Sequence, residues 1–123
     1  MKWVKAPGLA LISLVSSCAY QAVSYQGDIG PIINSKCIEC HTSPSGNGYR
    51  ATGLLMGSYE DLMQGSVYGP IIIAGDSQRS VLNMLVEGRA GSVQRNLHNN
   101  GKALTHDEIE AFKLWVEQGA LDN

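Results

Sequence analysis

No basic block occurs anywhere in the 123 residues, and the net charge is −2, which argues against nucleic acid as a partner. No internal repeat is visible, so a solenoid is excluded. The apolar stretch near the N-terminus, Gly8 to Val15, is too short to cross a bilayer. Ile71-Ile72-Ile73 is a brief apolar run with no second clear strand to pair with, so it reads as an extended segment rather than part of a sheet. Cysteine is scarce, at three residues, and the odd count leaves one to be explained outside any pairing. Methionine is missing altogether between Arg89 and Asn123.

The beginning of the chain carries the pattern of an address. Lys2 and Lys5 form a positive start, the Gly8–Val15 run follows, and small residues close it, as in a bacterial export signal over residues 1–17. Val15-Ser16-Ser17-Cys18 resembles a lipobox, in which cleavage leaves Cys18 as the new N-terminus, acylated at sulfur and nitrogen. That accounts for the odd cysteine; ordinary cleavage would instead leave Cys18 as a thiol or disulfide partner. Ala19 in place of aspartate favours the outer membrane by the usual rule for Gram-negative lipoproteins. The expected location is the bacterial cell envelope, facing the periplasm, with the membrane reached through the N-terminal lipid. Residues 18–26 read as a lipidated tether, in which Tyr25 could pack on the domain or lie at the lipid interface. Residues 27–123 are then one domain. Losing Lys2 and Lys5 takes the 9 basic residues to 7 against 11 acidic ones, a net charge of −4.

Cys37-Ile38-Glu39-Cys40-His41 is the most informative stretch. A Cys-x-x-Cys-His run is the pattern of covalent haem c attachment, in which each thiol adds to a vinyl group and the imidazole binds the iron from one side. The spacing has a physical reason, because positions three and four apart share a helix face and all three side chains can address one flat ring. A thioredoxin-like pair would open a helix after a strand, and none precedes this motif. A zinc site needs a second Cys/His pair, which the chain lacks.

Around the motif the pattern is helical. Asp28 is a candidate N-cap with Pro31 in the first turn, and Ile29, Ile32 and Ile33 lead into Cys37 and Cys40 at helical spacing. Thr42 to Tyr49 reads as loop by composition, and Arg50 after it is most simply a surface arginine. Ser58 with Asp61 predicts a short helix over Tyr59 to Gln64, closed by Gly65. Asp76 is expected to cap a helix from Ser77 to Glu87, with Val81, Leu82, Leu85 and Val86 inward and Met84 off that stripe. Arg89 to Ala103 reads as a long loop carrying His98. Thr105 and Glu108 form a capping box for a last helix with Ile109, Phe112, Trp115 and Val116 on its apolar face, ended by Gly119.

The order Asp28-Ile29-x-Pro31-Ile32, Cys37-x-x-Cys40-His41, Gly57-Ser58-Tyr59-Glu60-Asp61-Leu62, Gly75-Asp76-x-x-x-Ser80-Val81-Leu82, Leu104-Thr105-x-Asp107-Glu108-Ile109 and Trp115-Val116-x-x-Gly119-Ala120 resembles small monohaem class I c-type cytochromes of the planctomycete type. The resemblance implies an all-α, cytochrome c-like fold of about four short helices and long loops around one covalently bound haem. It also implies single-electron transfer between redox proteins, with haem c as the cofactor and no enzymatic activity. In that family a Met-Pro-Pro run before the terminal helix supplies the distal ligand. Here His98, followed by Asn99-Asn100, stands in its place, so the expected ligands are His41 and His98, with Met84 or Met56 as alternatives. An open distal face would instead suit a gas or redox sensor or a peroxidase-like protein, which needs polar catalytic groups there. Neither His106 nor Arg89 and Arg95 supply these convincingly.

Overall fold

The computed structural model describes residues 1, 21–91, 98 and 103–123; the export signal, Cys18, Arg95 and most of the loop around His98 lie outside the described residues. Among those described, helices alternate with loops and no strand forms, apart from an isolated bridge between Ser66 and Gly69. A π-helical turn at Tyr25–Ile29 runs into α1 (Gly30–Lys36), followed by α2 (Asn47–Thr52), α3 (Tyr59–Gln64), α4 (Val81–Val86) and α5 (His106–Glu117). The all-α expectation holds at that level.

Helicity begins earlier than Asp28. Ser24 is the cap: its hydroxyl accepts from the Gly27 N–H at 3.0 Å, while its own N–H donates to Asp28 Oδ2 at 2.7 Å. This pair of bonds resembles a capping box one turn upstream of the expected start, with Asp28, one residue past Gly27, as the carboxylate that reaches back. The last helix forms as its sequence dictates, with Thr105 and Glu108 reciprocally bonded at its head. α3 is also capped as expected, Ser58 accepting from the Asp61 N–H. α4 is shorter than the span Ser77 to Glu87. Asp76 instead closes its own turn by accepting from the Arg79 N–H, and Ser80, fully buried, becomes the cap. The Ser80 hydroxyl accepts from the Ile73 N–H at 2.8 Å and lies 2.7 Å from the Asp76 carbonyl, so residues 73–80 are tied as a turn. The buried face of α4 is Leu82 with Asn83, whereas Val81 is 41% exposed.

The core gathers Ile29 and Ile33 from the first helical segment, Leu62 from α3, and Phe112, Trp115 and Val116 from α5, each 1% exposed or less. Burial of side chains of this size contributes about 1.5–3 kcal/mol each. Tyr25 packs on the domain: its ring centre lies 5.2 Å from that of Tyr59 and 5.6 Å from that of Trp115. The polar ends of two of them are satisfied, Tyr59 Oη donating to the Ala120 carbonyl and Trp115 Nε1 to the Leu121 carbonyl.

Gly119 (φ 104°) and Ala120 (φ 50°) take left-handed backbone and turn the chain back after α5. Residues 121–123 then meet residues 21–26. Gln118 bonds the Gln21 carbonyl and the Val23 N–H, and Asn123 accepts from Ser24 Oγ and from the N–H groups of Tyr25 and Gln26. Packing therefore reaches back to Val23, inside the stretch that the sequence reads as tether.

Candidate functional site

α1 does not end cleanly at Lys36. The N–H groups of Cys37 and Ile38 both donate to the Ile33 carbonyl, at 2.8 and 3.0 Å. The Cys37 carbonyl in turn accepts from the N–H groups of Cys40 (3.1 Å) and His41 (3.0 Å). The chain thus makes one more helical turn, and the side chains at 37, 40 and 41 leave it three and four residues apart. Cys37 is half-buried against the core, Cys40 is exposed, and His41 is only 9% exposed.

The residues after the motif fold back over this turn. Thr42 to Tyr49 is not all loop: α2 starts at Asn47, its Tyr49 N–H donating to the Cys40 carbonyl at 2.9 Å. The Met56 N–H donates to the His41 carbonyl at 3.1 Å. A turn-rich composition can form this helix because it lies tight against the motif. A Cβ added at Gly48 would stand 2.6 Å from His41 Cε1 and 2.8 Å from Nε2. Only glycine fits beside that edge of the imidazole.

His41 Nδ1 lies 3.2 Å from the Leu54 carbonyl oxygen. A carbonyl can only accept, so Nδ1 carries the hydrogen and Nε2 keeps its lone pair for a metal. Burial holds the His41 pKa below the ordinary histidine value. Nearby His98 pushes the same way, and the Leu54 carbonyl pulls against both. The ring is therefore oriented by the Leu54 carbonyl, and burial disfavours its charged form.

His98 has helical backbone geometry and is exposed. Its ring centre lies 6.4 Å from that of His41, with the two planes inclined by 14°. An imidazole nitrogen binds a metal at about 2 Å and its ring centre lies roughly 1 Å further back, so two imidazoles on opposite sides of one iron have centres about 6 Å apart. The centre-to-centre distance of the two histidines is close to that value, with the rings arranged as a stacked pair. Among the described residues no three His, Cys, Asp or Glu side chains converge on a point.

The other residues considered have other surroundings. Met56 is 3% exposed within the hydrophobic core, bordering a cavity of about 220 Å³ with Tyr25, Gly30 and Ile33. Met84 is half-buried on α4. His106 is exposed at the head of α5. Arg50 bonds Asn47, and Arg89 bonds Glu87 and the carbonyls of Ser77 and Gln78. Sequence reasoning missed Gly48 and the Leu54 carbonyl. The Gly46-x-Gly48 spacing just after the motif was the one signal available for the close approach. Compared with protein-family profiles, curated proteins and solved structures, the chain matches none, and its functional reading rests on its own residues.

Proposed function

We propose that this protein is a monohaem c-type cytochrome that carries single electrons between redox proteins of the bacterial cell envelope, held at the membrane by lipid on Cys18. The observation that carries the reading is a Cys-x-x-Cys-His turn whose histidine bonds the Leu54 carbonyl, with a second, nearly parallel imidazole 6.4 Å away centre to centre. Cys37 and Cys40 would hold the haem, each S–H adding across one vinyl double bond so that sulfur bonds to one carbon and the proton goes to its neighbour, with no net redox change. When bound, the haem iron supplies one-electron chemistry. His41 is the proximal ligand, kept neutral by burial and made more basic by its bond to the Leu54 carbonyl. His98 is the distal ligand. Filling both axial positions leaves no place for a substrate, which favours a carrier over an enzyme.

Expression with a cytochrome c maturation system tests this. The product should keep its haem through acid–acetone extraction and show a six-coordinate low-spin spectrum; Cys37→Ala or Cys40→Ala should weaken attachment. His98→Ala should give a high-spin haem that binds carbon monoxide when reduced. Colourless or extractable protein would defeat the reading, and a low-spin spectrum lost in Met84→Ala but kept in His98→Ala would reassign the distal ligand. Carbon monoxide binding by the unmodified protein would favour the open-site sensor.

A further inference from the structure

The direction in which His41 presents Nε2 depends on the rotation of its ring about the Cβ–Cγ bond, a torsion with broad, roughly two-fold preferences that a rotamer alone does not fix. The hydrogen bond from Nδ1 to the Leu54 carbonyl holds one side of the ring, and at 3.2 Å it lies at the long end of its class. Gly48 holds the other side, so close that an added Cβ would stand 2.6 Å from Cε1 and 2.8 Å from Nε2. The ring is thus gripped between two pieces of backbone.

One side chain joins those two pieces. Thr52, the last residue of α2, donates its hydroxyl hydrogen to the Gly48 carbonyl at 2.7 Å and accepts from the Leu54 N–H at 3.2 Å. A threonine that bonds the carbonyl four residues back is common in helices and by itself says little. Here the same oxygen also receives the residue whose carbonyl holds His41, across the left-handed bend at Gly53 (φ 69°) that ends α2. Thr52 is half-buried, and valine would fill the same volume without a donor or an acceptor. What threonine adds at this position is the link itself.

Resting on the cytochrome reading above, we propose that Thr52 is a positioning residue for the proximal ligand: its hydroxyl sets the spacing between Gly48 and the Leu54 carbonyl, and so fixes the rotation of the His41 ring. Thr52 acts only through those two neighbours. Its effect is on how firmly Nδ1–H is held, and a firmly held Nδ1–H makes Nε2 the stronger donor, which favours oxidised iron.

The test compares the haem-loaded full chain with Thr52→Val, which keeps the shape and loses the hydroxyl, and Thr52→Ser, which keeps the hydroxyl. Loosening the Nδ1–H bond should favour reduced iron, so the ratio of reduced to oxidised haem at a fixed applied potential should rise roughly threefold in Thr52→Val. Thr52→Ser should stay near the unmodified ratio. In haem-free protein the Nδ1 proton of His41 should exchange with water faster in Thr52→Val and the ring nitrogen signals should shift, with Thr52→Ser restoring both. A Thr52→Val protein that melts earlier yet keeps the unmodified potential and ring signals would make Thr52 a brace for the end of α2 and overturn the proposal. Should Thr52→Val fail to fold, Thr52→Ala carries the same comparison, and an unchanged potential with unchanged ring signals there overturns it equally. Failure of the two readings is distinguishable: an unmodified chain without covalent haem ends the cytochrome reading and this inference together, whereas covalent haem in every variant with equal potentials and unshifted ring signals ends this inference alone.

Discussion

The junction of the first helical segment with α5 and the turn that carries Cys37, Cys40 and His41 are built on different principles. At the junction, side chains do the holding: Ile29, Ile33, Phe112, Trp115 and Val116 are shut away from water, and the aromatic hydroxyl and indole find carbonyl partners. At the motif the backbone does it. The carbonyls of Cys37, Cys40, His41 and Leu54 are all engaged, while Cys40 and His98 remain at the surface. The difference teaches that the buried core is drawn from side chains outside the motif, with Cys37 packed against its edge and His41 sheltered over the turn.

The comparison can be broken first at the core. Phe112→Ala should cost about 3–5 kcal/mol by removing a fully buried ring, and should unfold site and core together. A denaturant titration with the slope unchanged would measure this. By contrast, Cys40→Ala should leave the midpoint of haem-free protein nearly unmoved. Gly48→Ala probes the motif's own principle. Its methyl group meets the His41 ring, so it should cost about 1–3 kcal/mol of overpacking while displacing the imidazole from the Leu54 carbonyl. A histidine ring nitrogen shift in haem-free protein would report that displacement, and an unshifted ring would show that α2 gives way instead.

The smallest expected effects lie where α5 begins. Thr105→Ala removes the cap from the Glu108 N–H and should cost about 1 kcal/mol. The Glu108 carboxyl is held below its ordinary range, by the Lys36 hydrogen bond first and the Thr105 N–H next. Its folded pKa is thus below its unfolded one, so its contribution is complete above the ordinary carboxylate range and is lost as pH falls through the depressed value. Acid titration of stability should therefore be flatter in Glu108→Gln than in the unmodified chain. Equal slopes would remove Glu108 from the account.

What was legible in the sequence follows from how local each signal is. α3 and α5 carry their caps within three residues, Ser58 with Asp61 and Thr105 with Glu108, and both helices start where those caps stand. The start of the first helix was misplaced because Asp28 has two possible roles. It can cap the helix or answer Ser24 from inside it, and the packing of Tyr25 against Tyr59 and Trp115 decides for the second. α2 was hidden because Gly46 and Gly48 look like loop residues in isolation; their smallness serves contacts with Cys40 and His41 that no local pattern encodes. In α4 the apolar stripe over-counted. Ser80 is recruited by the chain at 73–76, which cuts off the first turn and brings Asn83 inward in place of Val81. For the candidate site, Cys37, Cys40 and His41 stand out as a motif and His98 by its position before the last helix, whereas the contact of His41 with the Leu54 carbonyl and the 6.4 Å spacing of the two rings have no local signal.

The pinning of residues 21–26 onto Gln118 and Asn123 also decides how this domain bears tension. Force entering the chain ahead of Gln21 meets the bonds to Gln118 and Asn123 before it reaches the backbone of α1. It is passed first to α5, whose Trp115 and Val116 are seated in the core. With the lipid proposed on Cys18 in place, drag on the anchor would load the last helix before it loads α1.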